Sequence, residues 1–405
     1  MISLKKINTH IKEFFFCAAI FFWEIEYGFF KSEILITLLL VLIINDKKQL
    51  FLYLKKVRVF YFIILHSVFI DTFFDNYFDL HSYFKIIYIL FLEIIIIKYI
   101  KYISLNIEKF CLMFFVIFLS YVFFFLFDPS QNCLGCFSIY REFYTENSHL
   151  GMMAPSIMLF STFFLIKSKN LIYGIFFFLF CIILVKNHSS TFFLGTLFSL
   201  LFLNSSILKY YKSKIFLKYL LLTFFLFTLA LNSSLKNDLK ERLKNFNLKN
   251  ILLIIYDKKD DNDVIKYDLK KYNFNLSTEV YLKSLISSFE IFRNNIFGTG
   301  FDQYKNNNHN DIFIFKYNIT SKLNNEDASQ NLSKGISEFG IFYFYIFYII
   351  LKFTKNKNVS LELKNFFIPI LITQLFIRGA GFFNGGFLIS FLFIYHFIEK
   401  EKNLK

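Results

Sequence analysis

The chain has 405 residues, of which 56% are hydrophobic and 22% aromatic, and its mean hydropathy is +0.49. Soluble domains do not carry repeated uncharged runs close to bilayer length, so this composition predicts a membrane protein. The formal net charge is +15, but the lysines flank apolar runs and form no basic patch in a soluble domain. Nucleic-acid binding is therefore excluded as the expected function.

Apolar runs of about 17–25 residues, the length that spans a bilayer as a helix, recur along the whole chain. They predict an all-α fold, a polytopic transmembrane helix bundle of about twelve spans. The predicted spans cover 8–23, 28–45, 57–74, 83–100, 110–127, 149–166, 171–186, 190–204, 215–232, 336–353, 364–380 and 383–398. The first span shows no cleavage signal and is expected to be retained.

Lysines orient these spans, because positive charge is retained on the cytoplasmic side. Lys-rich segments fall in alternate loops, which predicts that both termini are cytoplasmic. Residues 128–148, 186–189 and 233–335 then lie on the periplasmic side of a bacterial inner membrane. The chain is thereby divided into spans one to nine (1–232), a large periplasmic loop (233–335), and the last three spans with a short tail (336–405).

The large loop is expected to be partly helical. Apolar residues recur at helical spacing between Val280 and Phe292, which predicts an amphipathic helix lying against the bundle. The Asn-rich stretch 305–310 is predicted to be a loop. A further helix is predicted to begin near Leu332, capped by Asp327 or Ser329. In the earlier loop, Cys133 and Cys136 are candidates for a disulfide or a redox pair, and no zinc-binding spacing follows them.

Arg378 is the first candidate for binding, because charges near the membrane are costly and tend to be functional. It lies among glycines between the last two spans, at their outer end. One interpretation is that Arg378 extends its guanidinium to the membrane–water interface. The favoured interpretation is that Arg378 binds a pyrophosphate at headgroup depth through bidentate hydrogen bonds.

Other polar residues lie at the outer ends of spans. His149, with Glu146 three residues earlier, is either a satisfied polar group or a tuned acid or base. Lys186 begins an external turn whose polar residues either cap a helix or contact an anion. Asp327 either caps a helix or accepts a proton from a sugar hydroxyl. No phosphate-cradling nucleotide loop and no early external Asp-x-Asp pattern is present, and no cofactor or metal is expected.

Taken together, residues 128–350 resemble the O-antigen polymerase and O-antigen ligase superfamily. The stretch Tyr144-Thr-Glu146-Asn-Ser-His149 is similar to the Glu-x-Ser-His pattern before a middle span. Asn294-Asn-Ile-Phe-Gly298-Thr-Gly300 is similar to Asn-Pro-x-x-Gly-x-Gly. Gln330, followed after nine residues by Gly340-Ile-Phe-Tyr343, fits the pattern of His, Ser or Gln before Gly-x-x-Gly/Thr/Tyr.

Two departures from the family pattern matter. Asn187-His-Ser-Ser-Thr191 stands where the family has Ser-Arg-x, so the arginine is absent. Ligases usually carry His where this chain has Gln330, and Gln is not a general base. The resemblance therefore favours a polymerase over a ligase, in which the base role either passes to Asp327, His149 or His309 or is unnecessary.

The resemblance implies a metal-independent glycosyltransferase that joins undecaprenyl-diphosphate-linked oligosaccharide repeat units on the periplasmic face. The implied catalytic set is Asp327, His149, Glu146, His309 and Gln330, and the implied diphosphate ligands are Arg378, Arg141, Arg293 and Lys186. Its expected partners are that lipid-linked donor, the bilayer and a chain-length regulator. The alternatives are an O-antigen ligase and a flippase for lipid-linked oligosaccharides, although flippases have short loops and two similar halves.

Overall fold

The computed structural model is built almost entirely of helices. It describes residues 14–18, 47–74, 80–110, 112–113, 117, 147–168, 172–175, 190–210, 221, 228, 276–307, 312–314, 319–321, 328–379 and 381–402. In the first half these include α1 (Lys47–Leu54), α2 (Arg58–Phe74), α3 (Leu80–Leu105), α4 (Asn147–Ser168) and α5 (Ser190–Tyr210). The all-α prediction is confirmed over this part of the chain.

The second half continues the helical pattern, with one small exception. Its helices are α6 (Leu276–Asn294), α7 (Tyr304–Asn307), α8 (Asn331–Phe339), α9 (Tyr345–Lys355), α10 (Leu361–Phe376) and α11 (Phe387–Lys402), and a 3₁₀ helix, Gly340–Phe344, joins α8 to α9. Two three-residue strands, β1 (Ile312–Ile314) and β2 (Ile319–Ser321), pair antiparallel with Phe313 opposite Thr320. This short pairing was not predicted.

Helix boundaries follow from local chemistry at the ends. The Ser360 side chain accepts a hydrogen bond from the Leu363 amide (3.4 Å) and so caps α10. Gly340 ends α8 with φ +55° and ψ −134°, a backbone conformation that glycine adopts far more readily than other residues. The predicted cap by Ser329 is wrong, since Gln330 occupies the N-cap position and its side chain makes no capping bond.

One prediction about residues 305–340 is confirmed and one needs correction. The helix predicted to begin near Leu332 begins at Asn331. Part of the Asn-rich stretch predicted as loop is helical, because Tyr304–Asn307 forms one helical turn after the Gly300 turn. A polar segment remains helical when its side chains find partners in the fold.

A three-helix core supports the rest of the described bundle. Helices α4, α5 and α10 pack on one another, α11 packs on α3 and α10, and α6 packs on α8. Gly195 of α5 allows the close approach, because a Cβ there would lie 2.5 Å from Thr373 Oγ1 and 3.0 Å from Pro155 Cγ. Small residues at such contacts are typical of helices packed within membranes.

Several charged side chains are buried in this bundle, while many large apolar side chains outside its core are exposed. Glu93 and Lys364 are fully buried, whereas Leu65 and Phe73 of α2 are each 69% exposed and Leu201 of α5 is 62% exposed. Water-soluble proteins rarely expose such extended apolar faces. This distribution is compatible with a location in a lipid bilayer.

By length and composition, one helical segment among the described residues is able to cross a membrane. It runs from Asn331 to Lys355 through the 3₁₀ helix, and Gly151–Phe164 and Thr191–Leu203 are shorter apolar helices. Helices also lie at the predicted positions of six further spans, including α2 and α3. The total of about twelve spans remains a prediction.

Candidate functional site

The N-terminus of α8 is the centre of the candidate site, and Gln330 lies directly before it. Gln330 is fully buried. Its Nε2 donates to Ser333 Oγ at 2.5 Å, whereas its Oε1 has no hydrogen-bond partner among the described residues. A buried acceptor left without a donor costs free energy. A ligand hydroxyl placed there would recover that cost.

The two glycine motifs predicted from the sequence meet in the structure. Gly298 (φ +88°) and Gly340 (φ +55°) both have left-handed backbone conformations. A Cβ on Gly340 would lie 2.1 Å from the Ile296 carbonyl oxygen, and one on Gly298 would lie 2.4 Å from the Glu338 carbonyl oxygen. Only glycine fits at either position, so the two motifs form a single structural unit.

Backbone hydrogen bonds hold this unit together. The Thr299 amide donates to the Ser337 carbonyl at 2.8 Å, and the Gly300 amide donates to the Glu338 carbonyl at 2.9 Å. These carbonyls belong to the last turn of α8, whose acceptors have no partner within the helix. The Gly-Thr-Gly turn therefore caps the end of α8 and sets its position.

The turn that carries Arg378 reaches the other end of α8. The Gly379 amide donates to the Ser329 carbonyl at 2.9 Å, and a Cβ on Gly379 would lie 2.7 Å from the Asn331 amide nitrogen. Arg378 is half-buried, and its amide donates to the Thr373 carbonyl at 3.0 Å. The structure thus brings the backbone of Arg378 beside the residues that flank Gln330.

A chain of side-chain amides extends this end of the site. Asn331 Nδ2 lies 3.5 Å from Gln374 Oε1, and Gln374 Nε2 donates to the Gly385 carbonyl at 2.7 Å. Asn331 Oδ1 is buried and lacks a hydrogen-bond partner within the described part of the chain. Two amide oxygens, from Gln330 and Asn331, therefore remain as acceptors beside the start of α8.

Four charged residues form a buried charge network along α8, defined here as Lys85, Asp302, Lys334 and Glu338. Lys85 Nζ lies 2.8 and 2.7 Å from the two Asp302 carboxylate oxygens, and Ser82 Oγ donates to Asp302 at 3.2 Å. Lys334 Nζ lies 2.9 Å from Glu338 Oε1 and 3.8 Å from Asp302 Oδ1. The two carboxyl groups lie beside two ammonium groups, which offsets part of the cost of removing them from water.

Tyr304 closes the network on the side of α6. Its amide nitrogen lies 3.4 Å from Glu338 Oε1. Burial raises the pKa of the Tyr304 hydroxyl to about 12, although hydrogen bonds with Ser284 and Ser288 act in the opposite direction. The phenol is therefore protonated at neutral pH and serves as a hydrogen-bonding and packing group.

Sequence reasoning did not single out any member of the charge network, although one signal was available. Lys334 and Glu338 are separated by four residues and so share one helix face. Lys85 lies within a predicted span, where a charge is costly and needs a partner. Its partner, Asp302, is 217 residues away in the chain, and only the fold shows that the two meet.

Of the remaining predicted site residues, the structure describes the side chain of Arg293 alone. Arg293 is exposed in the last turn of α6. The backbone of His149 lies in the first turn of α4, and its side chain is not among those that the structure describes. Outside the described residues lie Asp327, Glu146, His309, Arg141 and Lys186, together with Cys133 and Cys136.

Among the described residues, no group of three or more His, Cys, Asp or Glu side chains is placed to hold a metal ion. The site instead offers neutral acceptors, the amide nitrogens at the start of α8 and a nearby arginine. No known protein-family model, curated protein or solved structure matches this chain. Function is therefore inferred from the chain's own residues and geometry.

Proposed function

We propose that the protein is a polytopic inner-membrane glycosyltransferase that polymerises undecaprenyl-diphosphate-linked oligosaccharide repeat units on the periplasmic face. The acceptor hydroxyl attacks the anomeric carbon of the donor, a glycosidic bond forms, and undecaprenyl diphosphate leaves with the bonding electron pair. The acceptor proton passes to a base. Asp327, His149 and His309 are the residues proposed for that role.

One observation carries the proposal: three segments far apart in the chain converge on α8. They are the Gly-Thr-Gly turn at 298–300, the segment from Gln330 to Gly340, and the turn at 378–379. Two of these segments carry the resemblance to polymerases, and the third carries Arg378, which was predicted to bind diphosphate. A structural bundle has no need to converge these motifs around buried acceptors that have no donor among the described residues.

The chemistry suits a substrate with both anionic and hydroxyl groups. The first amides of α8 point along the helix axis toward its N-terminus, where the helix dipole favours negative charge. Arg378 adds a permanent positive charge in the same region. Gln330 Oε1 and Asn331 Oδ1 accept hydrogen bonds from hydroxyls. Such fixed positive groups stabilise a leaving diphosphate without a metal.

The distribution of polar and apolar surface supports the membrane part of the proposal. Exposed apolar faces on α2 and α5 provide lipid-facing surface, while Gln330, Lys334 and Glu338 are enclosed by the bundle. The proposed topology retains about twelve spans with both termini cytoplasmic and the loop 233–335 periplasmic. The bilayer, the lipid-linked donor and a chain-length regulator are the proposed partners.

The first test is the size distribution of surface glycan in a strain that lacks this gene, with lipid-linked intermediates quantified beside it. A collapse from a ladder to one repeat unit on the lipid core supports a polymerase. Bare core with accumulated long lipid-linked polymer indicates a ligase. Single repeat units confined to the cytoplasmic face indicate a flippase. Either of the last two outcomes refutes the proposal.

A second test addresses the site directly. Arg378→Ala is expected to abolish long chains at an unchanged protein level, because a positive charge beside the leaving diphosphate is lost. Lys357→Ala removes an exposed positive charge from the opposite end of the bundle and is expected to leave the ladder unchanged. A normal ladder in the Arg378 variant removes this arginine from the mechanism.

A further inference from the structure

A second candidate site lies between α2, the 3₁₀ helix, α9 and α11. There the structure encloses a cavity of about 640 Å³ whose lining is almost wholly apolar and aromatic. Its volume falls in the range of small-molecule sites, roughly 300–1,000 Å³. Its walls include Phe62, Ile63, Phe339 and Leu388, and Arg58 is its one charged lining residue.

The cavity opens sideways onto the apolar outer surface of the bundle. Four lining residues are also well exposed: Phe62 (41%), Ile341 (48%), Phe342 (42%) and Tyr345 (46%). They form a rim of hydrocarbon and aromatic surface around the opening. In a bilayer this rim faces lipid, so a hydrocarbon chain is able to enter without crossing water.

Positive charge is concentrated at the Arg58 end of the cavity. Lys55 and Lys56 precede Arg58 in the chain, and all three are exposed. Arg58 pairs with Glu399 of α11 at 2.5 Å through one nitrogen, and a guanidinium has five N–H donors in all. Because Arg58 contacts Glu399, the C-terminus of α11 lies beside this basic segment, and it carries the exposed Lys400.

We propose that this cavity binds an acyl chain of an anionic phospholipid whose phosphate lies against Arg58, Lys55 and Lys56. Basic clusters beside spans on the cytoplasmic side attract acidic lipids, and the charge pattern predicts that this end is cytoplasmic. Charge complementarity selects an anionic headgroup, and the adjoining apolar cavity selects a lipid over a free phosphate. The inference rests on the membrane location within the proposed function, not on the glycan chemistry.

This site is separate from the one proposed for the glycan donor. Arg378 lies beside the N-terminus of α8, whereas Arg58 contacts the C-terminal end of α11. The two sites approach each other at one wall. Phe382 lines the cavity, and the Lys334 ammonium lies 5.8 Å from the centre of its ring. An acyl chain in the cavity would therefore pack against Phe382, which in turn contacts Lys334 of the charge network.

The charge part of the proposal is tested by native mass spectrometry of the detergent-purified full chain. Phosphatidylglycerol and phosphatidylcholine with identical acyl chains are titrated separately. About tenfold tighter binding of phosphatidylglycerol is expected, and the triple variant Lys55→Gln/Lys56→Gln/Arg58→Gln is expected to remove the difference. Lys101→Gln, an exposed lysine of α3 outside the cavity, serves as control. Equal binding of the two lipids by the unaltered protein overturns the proposal.

The location is tested by photocrosslinking the unaltered protein in vesicles that contain phosphatidylglycerol with a diazirine on its acyl chain. Crosslinks are expected to concentrate on 58–63, 339–346 and 387–395. Crosslinks spread evenly over the exposed apolar faces of α3 and α5 overturn it. This readout does not depend on glycan synthesis, so its failure is distinguishable from failure of the proposed function.

Discussion

Two regions of the described structure bury polar and charged side chains, and they differ in how completely those side chains are hydrogen-bonded. Glu93 of α3 uses both carboxylate oxygens. Its Oε1 accepts from the Val59 amide at 3.1 Å and lies 2.7 Å from His396 Nε2, and its Oε2 accepts from the Phe60 amide at 2.9 Å. It thereby caps the start of α2 and joins that helix to α11.

Lys364 plays the same part at a helix C-terminus. Its ammonium donates to the carbonyls of Thr354 and Asn356 at 2.7 Å each, where the end of α9 leaves acceptors without partners. Around α8, by contrast, Gln330 Oε1, Asn331 Oδ1 and Glu338 Oε2 lack partners among the described residues. The buried groups of Glu93 and Lys364 therefore stabilise the fold, whereas the buried oxygens around α8 remain able to accept hydrogen bonds from a ligand.

The largest effect is expected for Gly340→Ala. The new Cβ would lie 2.1 Å from the Ile296 carbonyl at a backbone φ of +55°, so the variant should lose roughly 3 kcal/mol or more of stability and the glycan ladder with it. Denaturant unfolding in detergent and a glycan gel measure the two effects. Ile296→Ala trims an exposed side chain beside the same contact and should retain the ladder. A stable, active Gly340→Ala protein contradicts the glycine contact.

Glu93→Ala tests whether a buried carboxylate with hydrogen bonds to both oxygens contributes to stability without contributing to chain synthesis. Removing this carboxylate leaves His396 and the first amides of α2 without their partner, which should cost roughly 3 kcal/mol. At reduced growth temperature the folded fraction should still make long chains. Glu399→Gln, which alters the pair with the largely exposed Arg58, should cost less than about 1 kcal/mol. Loss of the ladder at normal protein level would give Glu93 a functional role.

Gln330→Ala tests the opposite case, in which function depends on an unsatisfied group. Chain synthesis should fall at least about tenfold, because an acceptor for the substrate is lost, while stability changes by about 1 kcal/mol or less. Ser333→Ala is the matched control, since it breaks the same Gln330–Ser333 hydrogen bond but keeps Gln330 Oε1. Equal ladders in the two variants would show that the amide oxygen does not bind substrate.

The smallest effect is expected at the exposed pair of Lys167 and Glu362. Burial alone would raise the pKa of Glu362, but the hydrogen bond and charge of Lys167, together with hydrogen bonds from the Glu362 backbone and Ser360, lower the pKa overall. A lowered pKa adds stability above the ordinary Glu value of about 4.3, and that stability is lost as the pH falls through the folded-state value. Lys167→Gln should therefore cost less than about 1 kcal/mol at pH 7 and nothing in strong acid.

That difference is measured by unfolding the two proteins in parallel between pH 7 and pH 3. Convergence of the two stability curves at low pH supports the ion pair. A constant offset would indicate that Lys167 contributes through packing, for which its position near the Phe163 and Phe164 rings provides a route.

Local patterns in the sequence determined where helices form. Runs of apolar residues predicted the positions of α2, α3, α4, α5, α10 and α11, and apolar spacing in the large loop predicted α6. The predicted span 336–353 lies within the helical segment Asn331–Lys355, which includes α9. These patterns succeeded because helix formation depends on neighbours within one or two turns. The candidate Arg378 was also singled out this way, because its flanking glycines stand out against an apolar background. The candidate Gln330 came instead from the resemblance to the polymerase and ligase superfamily.

The tertiary structure alone decided which of these residues meet. The pairing of Lys85 with Asp302, the contact of Gly298 with the turn at Gly340, and the approach of Gly379 to Ser329 each join segments distant in the chain. Sequence patterns do not give the spatial distance between such segments. From the sequence alone, any Lys is an equally good candidate partner for any Asp. The same packing decided which buried oxygens have donors and which have none, and the candidate site follows from that difference.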